Sequence, residues 1–210
     1  MSFVEQIVLT VNMGQEPSRT RTDDSAMDVD EEVHVSSPRE RTSPRRHEHR
    51  RGRSSTMSGP EPPILFYHRG HPFFEFTNFS EHSIIHHSLV YPTAEHLFQA
   101  YKFFQTRPDL AEEIRRLPSA RAARTEAGRW REYQRSDWFE INVDIMESIL
   151  EKKFTQHQHL RFMLLSTGTR ELIEDSPDDL FWGIGSDKSG RNELGKALMR
   201  VRTRLNPSAQ

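Results

Sequence analysis

YPTAEHLFQAYKFF, residues 91–104, carries an extended chain into a helix, and its reading decides the fold. Tyr91 and Pro92 favour extended backbone, because a residue before proline is pushed out of the helical region. Thr93 then offers a hydroxyl to the free amides of a first turn, so the pattern predicts a helix from Thr93 through Phe104. Ala94, Leu97, Phe98, Tyr101 and Phe104 form its apolar side, whereas Glu95, Gln99 and Lys102 fall at i, i+4 and i+7 along a second line. Spacing alone leaves two readings of that line open. It is a solvent-facing stripe of ordinary polar residues. Or it is a pocket wall on which Glu95, at the positive end of the helix, orients a water or accepts its proton.

Before this helix, ILFYH (Ile64–His68), FFEFTNF (Phe73–Phe79) and SIIHHSLVYP (Ser83–Pro92) are β-branched or aromatic runs broken by Gly and Pro, which reads as short strands and loops. After it the chain is mostly helical. PDLAEEIRRL (108–117) puts acids early and arginines late and stops at Pro118, and a further helix is expected over Ala120 to Arg129. Another covers about Phe139 to Phe154, with Ile145, Ile149, Lys153 and Phe154 marking a buried stripe and its edge, and a short one around Leu160 to Leu165 ends at Gly168. The last starts near Asn192 and places Leu194, Leu198, Val201 and Leu205 on one face. The expected fold class is therefore α+β, mainly helical, with a few short strands in one domain.

The rest of the chain bounds the function. Of 210 residues only 34% are hydrophobic, and the mean hydropathy is -0.79, too polar for a chain folded throughout. The polar excess lies in residues 1–63, rich in Ser, Thr, Pro, Arg and Asp, which reads as a disordered tail; residues 206–210 form a short C-terminal tail. Within the N-terminal tail an acidic block, DDSAMDVDEE (Asp23–Glu32), precedes a basic one, PRERTSPRRHEHRRGR (Pro38–Arg53). That polarity suits a solvated tail, or an arm for nuclear localisation or nucleic-acid contact that phosphorylation at Ser37 or Ser43 would weaken. A net charge of -2 gives no global field for nonspecific nucleic-acid binding. With no cysteine there is neither a disulfide nor a thiolate metal site, so the default location is intracellular, cytoplasmic or nuclear. The opening MSFVEQIVLTVNMG lacks the basic leader of a signal peptide, and no apolar run is long enough to span a bilayer.

Two further segments suggest chemistry. SPDDLFWGIGSDKSGRNELG (Ser176–Gly195) sets adjacent acids, Asp178 and Asp179, before Phe181 and Trp182, then Gly183, Gly185 and Gly190 before a helix start at Asn192. Glycines let amides approach a ligand and a helix N-terminus favours an anion, so a phosphate site with Lys188 or Arg191 as counter-charge is one reading; a flexible connector with a cap is the other. In RSDWF (135–139), Trp138 is either a core residue or an indole that stacks on a planar base. The histidines form no metal set: His86 and His87 are adjacent, and His157 and His159 diverge on a helix, so they read as structural or solvated.

Taken in order, FY (Phe66, Tyr67), EFTNFS (Glu75–Ser80), YPTAEHLFQAYKF, AGR (127–129), DW (Asp137, Trp138), KF (Lys153, Phe154), LLSTG (164–168), DLFWGIG (179–185) and GRNELGKALMRVR (190–202) resemble the YbiA-like or NADAR family over about residues 64–205. The resemblance implies a compact α+β domain and a metal-independent N-glycosidase without cofactor. It also implies a small-molecule substrate, an N-riboside of the riboflavin-intermediate kind or an ADP-ribose conjugate. The alternatives it leaves are an ADP-ribosyl hydrolase acting on modified guanine or arginine, and a catalytically silent ADP-ribose or nucleotide reader. The family's catalytic Glu, Trp and Asp match Glu95, Trp138 and Asp179, with Asp178 adjacent. Phe66, Tyr67, Asn78, Phe79, Gln99, Lys102, Arg129, Trp182, Gly183 and Asn192 are the expected substrate contacts. Thr77 and Leu97 depart from the residues usual at their places in the family's motifs.

Overall fold

The strands flanking the site are short and each is fixed by a specific partner. In the computed structural model, which describes residues 61–206, β1 (Ile64–Phe66) is followed by a 3-10 turn at Phe74–Phe76 and by a hairpin of β2 (Ile84–His86) and β3 (Leu89–Tyr91). The antiparallel hairpin pairs Ile84 with Tyr91 on the buried face and Ile85 with Val90 on the exposed face, the period-2 alternation of a half-buried ribbon. Its two turn residues, His87 and Ser88, hold φ of 46° and 64°, as a two-residue hairpin turn demands. Most of the polar N-terminal tail expected over 1–63 lies outside the described residues, as do residues 207–210.

FFEFTNF is not a strand. Lys153 donates to the carbonyls of Glu75 at 2.6 Å and Thr77 at 2.9 Å. Carbonyls two residues apart on a strand stand roughly 6.6 Å apart, too far to meet on one ammonium. The aromatic run curls instead around that cation. Phe76 is left in the core between Phe66 and Phe154, with both ring pairs at 5.8 Å.

Thr93 starts α1 (Ala94–Ala100) as expected, its hydroxyl accepting the His96 amide at 3.3 Å. The regular helix stops at Ala100, and the chain to Thr106 turns rather than continuing helically through Phe104. All seven α1 residues are buried, because α2 (Pro108–Arg115), α3 (Ala120–Arg129) and α4 (Trp138–Gln156) pack against it. α4 continues across a break at His157 into α5 (Gln158–Ser166), and β4 (Leu172–Glu174) then runs parallel to β1. α6 (Glu193–Leu205) buries Leu194, Leu198, Val201 and Leu205 on one stripe against α4, α5 and β4. The fold is α+β and mainly helical. No helix among the described residues is long and apolar enough to cross a membrane.

Candidate active site

The polar line of α1 faces inward. Glu95 and Gln99 are each 5% exposed, and Lys102, just past the helix end, is half-buried. Solvent does not satisfy these groups, so the molecule must. Gln99 Nε2 donates to Glu95 Oε1 at 2.7 Å, which leaves Gln99 Oε1 buried without a partner among the described residues. Burial pushes the Glu95 carboxyl above its ordinary range, against the pull of the Gln99 amide, Arg124 and Lys102. The same burial pulls the Lys102 ammonium down, with Glu95 opposing it.

Asn78 is carried to this line by the turn that Lys153 holds. Its carbonyl accepts the Glu95 amide at 3.1 Å, its Nδ2 reaches Met146 Sδ at 3.1 Å, and its Oδ1 is buried and unpartnered among the described residues. The Lys153 side chain is fully buried; Ser80 Oγ at 2.7 Å completes three acceptors around it. Burial draws its pKa down to about 7, while the three acceptors favour the ammonium form.

A third carboxylate enters from β4. Glu174 stands in register with Phe66, on the same strand face as buried Leu172, and its Oε2 is buried without a hydrogen-bond partner among the described residues. Burial raises its pKa to about 8, and the Asp179 and Glu95 carboxylates push in the same direction. Asp179 Oδ1 accepts the amides of Phe181 at 2.9 Å and Trp182 at 2.7 Å, which fixes the turn on which it sits. Of the adjacent acids, Asp178 is exposed and Asp179 is the one within electrostatic reach of Glu174.

Aromatic rings close one side. Trp138 is 4% exposed, packed on Phe98 at 4.9 Å with Lys102 Nζ 5.4 Å from its ring centroid. Trp182, half-buried, meets Phe98 edge-on at 5.4 Å. Trp138 therefore combines the core and site-wall readings, and Trp182 presents the more accessible ring.

Not every expected contact is brought here. Phe66 points into the core, Tyr67 lies half-buried against His68, and Phe79 is half-buried beyond Asn78. Arg129 is tied to Glu126 at 2.7 Å on the surface; from the same helix it is Arg124 that acts on Glu95, Glu174 and Lys102. Asn192 serves β4, accepting the Glu174 amide at 3.0 Å and donating to the Leu172 carbonyl at 2.9 Å. Gly183 leaves room for Glu174 O, which a Cβ would meet at 2.9 Å. Glu174 and Arg124 were missed by sequence reasoning: neither belongs to the motifs quoted above, and only the β1–β4 pairing and the α1–α3 packing place them. His96 is structural, its Nδ1 at 2.8 Å from Thr93 Oγ1 and its Nε2 at 3.1 Å from Leu117 O. No group of three or more His, Asp or Glu among the described residues could hold a metal ion.

Comparison with known proteins bears on this arrangement. The NADAR domain family model matches residues 65–206. A riboflavin biosynthesis protein of Vibrio vulnificus is 40% identical over 149 residues; the match covers 71% of this chain and 40% of that protein, so the chain spans less than half of it. An N-glycosidase of Nostoc punctiforme is 42% identical over 146 residues, covering 68% of this chain and 92% of the relative. The solution structure of Escherichia coli YbiA superposes with a TM-score of 0.65 at 34% identity, over 70% of this chain and 87% of that one.

Proposed function

The chain belongs to the NADAR family, and from that premise we propose that it hydrolyses the N-glycosidic bond at C1 of a phosphorylated ribose or of ADP-ribose. One observation carries the reading. Glu95 is a buried carboxylate whose immediate polar neighbours, Asn78 and Gln99, both keep a buried oxygen unpartnered, the state expected where a polar ligand completes the bonding.

In this reading Glu95 takes the proton of the attacking water. Burial raises the proton affinity of the Glu95 carboxyl, against the pull of the Gln99 amide and two cations, and this suits it to accept a proton from water. As the C1–N bond lengthens, positive charge builds on the ribose, and the Asp179 carboxylate, held by two amides, stabilises it. Trp138 and Trp182 wall the leaving base. Lys102, Arg124 and Arg131 are grouped tightly enough that the two arginines lower the lysine's pKa. No carboxylate among the described residues ion-pairs with Arg124 or Arg131. A phosphate of the substrate would relieve that crowding of like charge.

The test is to incubate the full chain with a phosphorylated riboflavin-pathway N-riboside, with ADP-ribosylated guanine and with ADP-ribosylated arginine, following base and sugar by mass spectrometry. Release of free base and free sugar from at least one supports the hydrolase. Binding of one without any release supports a silent reader instead.

A further inference from the structure

We infer that Glu174 is the general acid of this site, handing a proton to the leaving nitrogen as its bond to C1 breaks. The inference rests on the hydrolase reading above and assigns a step that reading leaves open. A base or guanidine nitrogen leaves poorly as an anion, so one proton must arrive as another is removed from water. The balance is simple. Water oxygen bonds to C1, Glu95 receives the water proton, the C1–N electron pair stays with nitrogen, and nitrogen receives the proton of Glu174. Proton return from Glu95 to Glu174 resets the pair.

Three carboxylates share the site, and their surroundings sort them. Asp179 has two backbone amides on one oxygen. Glu95 is raised by burial as well, but it has the Gln99 amide and the fields of Arg124 and Lys102 to support its anion. Glu174 has neither amide nor close cation partner: it feels two carboxylates, from α1 and from the Asp179 turn, with Arg124 of α3 the one favourable charge acting on it. Three negative charges in a buried site repel, and the proton settles where the anion is least supported, which is Glu174. Its pKa of about 8 is consistent with that placement. The backbone beneath it is pinned on both sides, its amide by Asn192 Oδ1 at 3.0 Å and its carbonyl by Ile184 N at 3.1 Å, which fixes the point from which the acid projects. Of the oxygens of these three carboxylates, its Oε2 is the one that is fully buried without a hydrogen-bond partner among the described residues.

The test compares the full wild-type chain with Glu174→Gln on two probes. One is an N-riboside 5-phosphate whose leaving nitrogen requires a proton. The other is p-nitrophenyl ribofuranoside 5-phosphate, whose phenolate leaves without one. Glu174→Gln should lower kcat on the first by about 100-fold or more, and on the second by less than about threefold. The wild-type loss of kcat/KM above pH about 8 should vanish in the variant. Equal losses on both probes, or none on the first, would overturn the assignment. Infrared spectroscopy gives a readout independent of turnover: a protonated-carboxyl band at pH 7 in the wild type, absent in Glu174→Gln. A wild type without that band refutes the proton placement whatever the activity. A wild type with the band but inert on both probes refutes the hydrolase reading, and the acid role with it.

Discussion

Two segments of this chain promise a ligand site, the line Glu95–Gln99–Lys102 running from α1 into the turn after it and the glycine-rich loop from Gly183 to Asn192, and the fold treats them in opposite ways. Glu95 and Gln99 of that line are buried, and Gln99 Oε1, like Asn78 Oδ1 beside it, keeps no partner among the described residues. The loop spends its amides on itself and on β4: Gly190 N donates to Ile184 O at 2.7 Å, Asn192 N to Gly183 O at 2.9 Å, and Ile184 N to Glu174 O at 3.1 Å. Its glycines are explained by crowding. A Cβ on Gly190 would strike the Gly183 carbonyl, and one on Gly195, just beyond, would strike the Leu172 carbonyl. A glycine-rich loop marks close backbone approach, and here the approaching partner is the protein's own backbone, in the loop itself and in β4. A buried polar group left unsatisfied is the better pointer to a ligand.

That contrast can be broken in order of expected effect. Glu95→Gln should lower kcat by about a thousandfold, with Tm unchanged or slightly raised because a buried charge is removed. Gly190→Ala should do the reverse, destabilising the fold by about 3 kcal/mol while leaving KM near wild type for the folded fraction. A large rise in KM without loss of Tm would restore the loop as a phosphate cradle.

Lys153 sharpens the comparison from the other side, since it holds the turn that presents Asn78. Lys153→Met should destabilise by about 2 kcal/mol, because three acceptors lose their donor, and should weaken activity through the displaced turn. Its pH signature has a definite sign. Between about 7 and the ordinary lysine value of 10.5 the unfolded chain holds a proton that the folded one has lost, so wild-type stability rises with pH there. Denaturant melts of the variant across that window should lack this contribution. Among the acids, Asp179→Asn should cost about 30-fold in kcat, and Asp178→Asn, on an exposed residue, less than about twofold. An effect on stability alone is expected in the β2–β3 turn: Ser88→Gly, where φ is 64°, should raise stability by about 1 kcal/mol with activity unchanged.

Much of this architecture was legible in the residues themselves. Thr93 marked the start of α1, the acid-to-base gradient and Pro118 framed α2, and the leucine stripe foretold how α6 docks. The helix period also drew the line from Glu95 to Lys102, though not its burial, which depends on α2, α3 and α4 covering the face. What stayed hidden depended on distant partners. β4 is three residues long, too short to show a period, and exists through pairing with β1 more than a hundred positions earlier. Glu174 was hidden with it. FFEFTNF carries the composition of a strand and is bent by Lys153, whose place in the buried stripe of α4 was visible but whose acceptors were not. Asp179 and Asp178 are equivalent as letters; the amides of Phe181 and Trp182, the exposure of Asp178 and the field of Asp179 on Glu174 separate them.

The central claim is that the α1 line is the hydrolytic centre, and isotope labelling tests it most directly. The full wild-type chain and Glu95→Gln are each incubated in water enriched in oxygen-18 with whichever phosphorylated N-riboside or ADP-ribose conjugate the wild type binds, and the products are weighed. The expected result is one heavy oxygen in the sugar and none in the base for the wild type, with label entering about a thousandfold more slowly in a Glu95→Gln protein that melts at the same temperature. Equal labelling rates in the two proteins would contradict the claim.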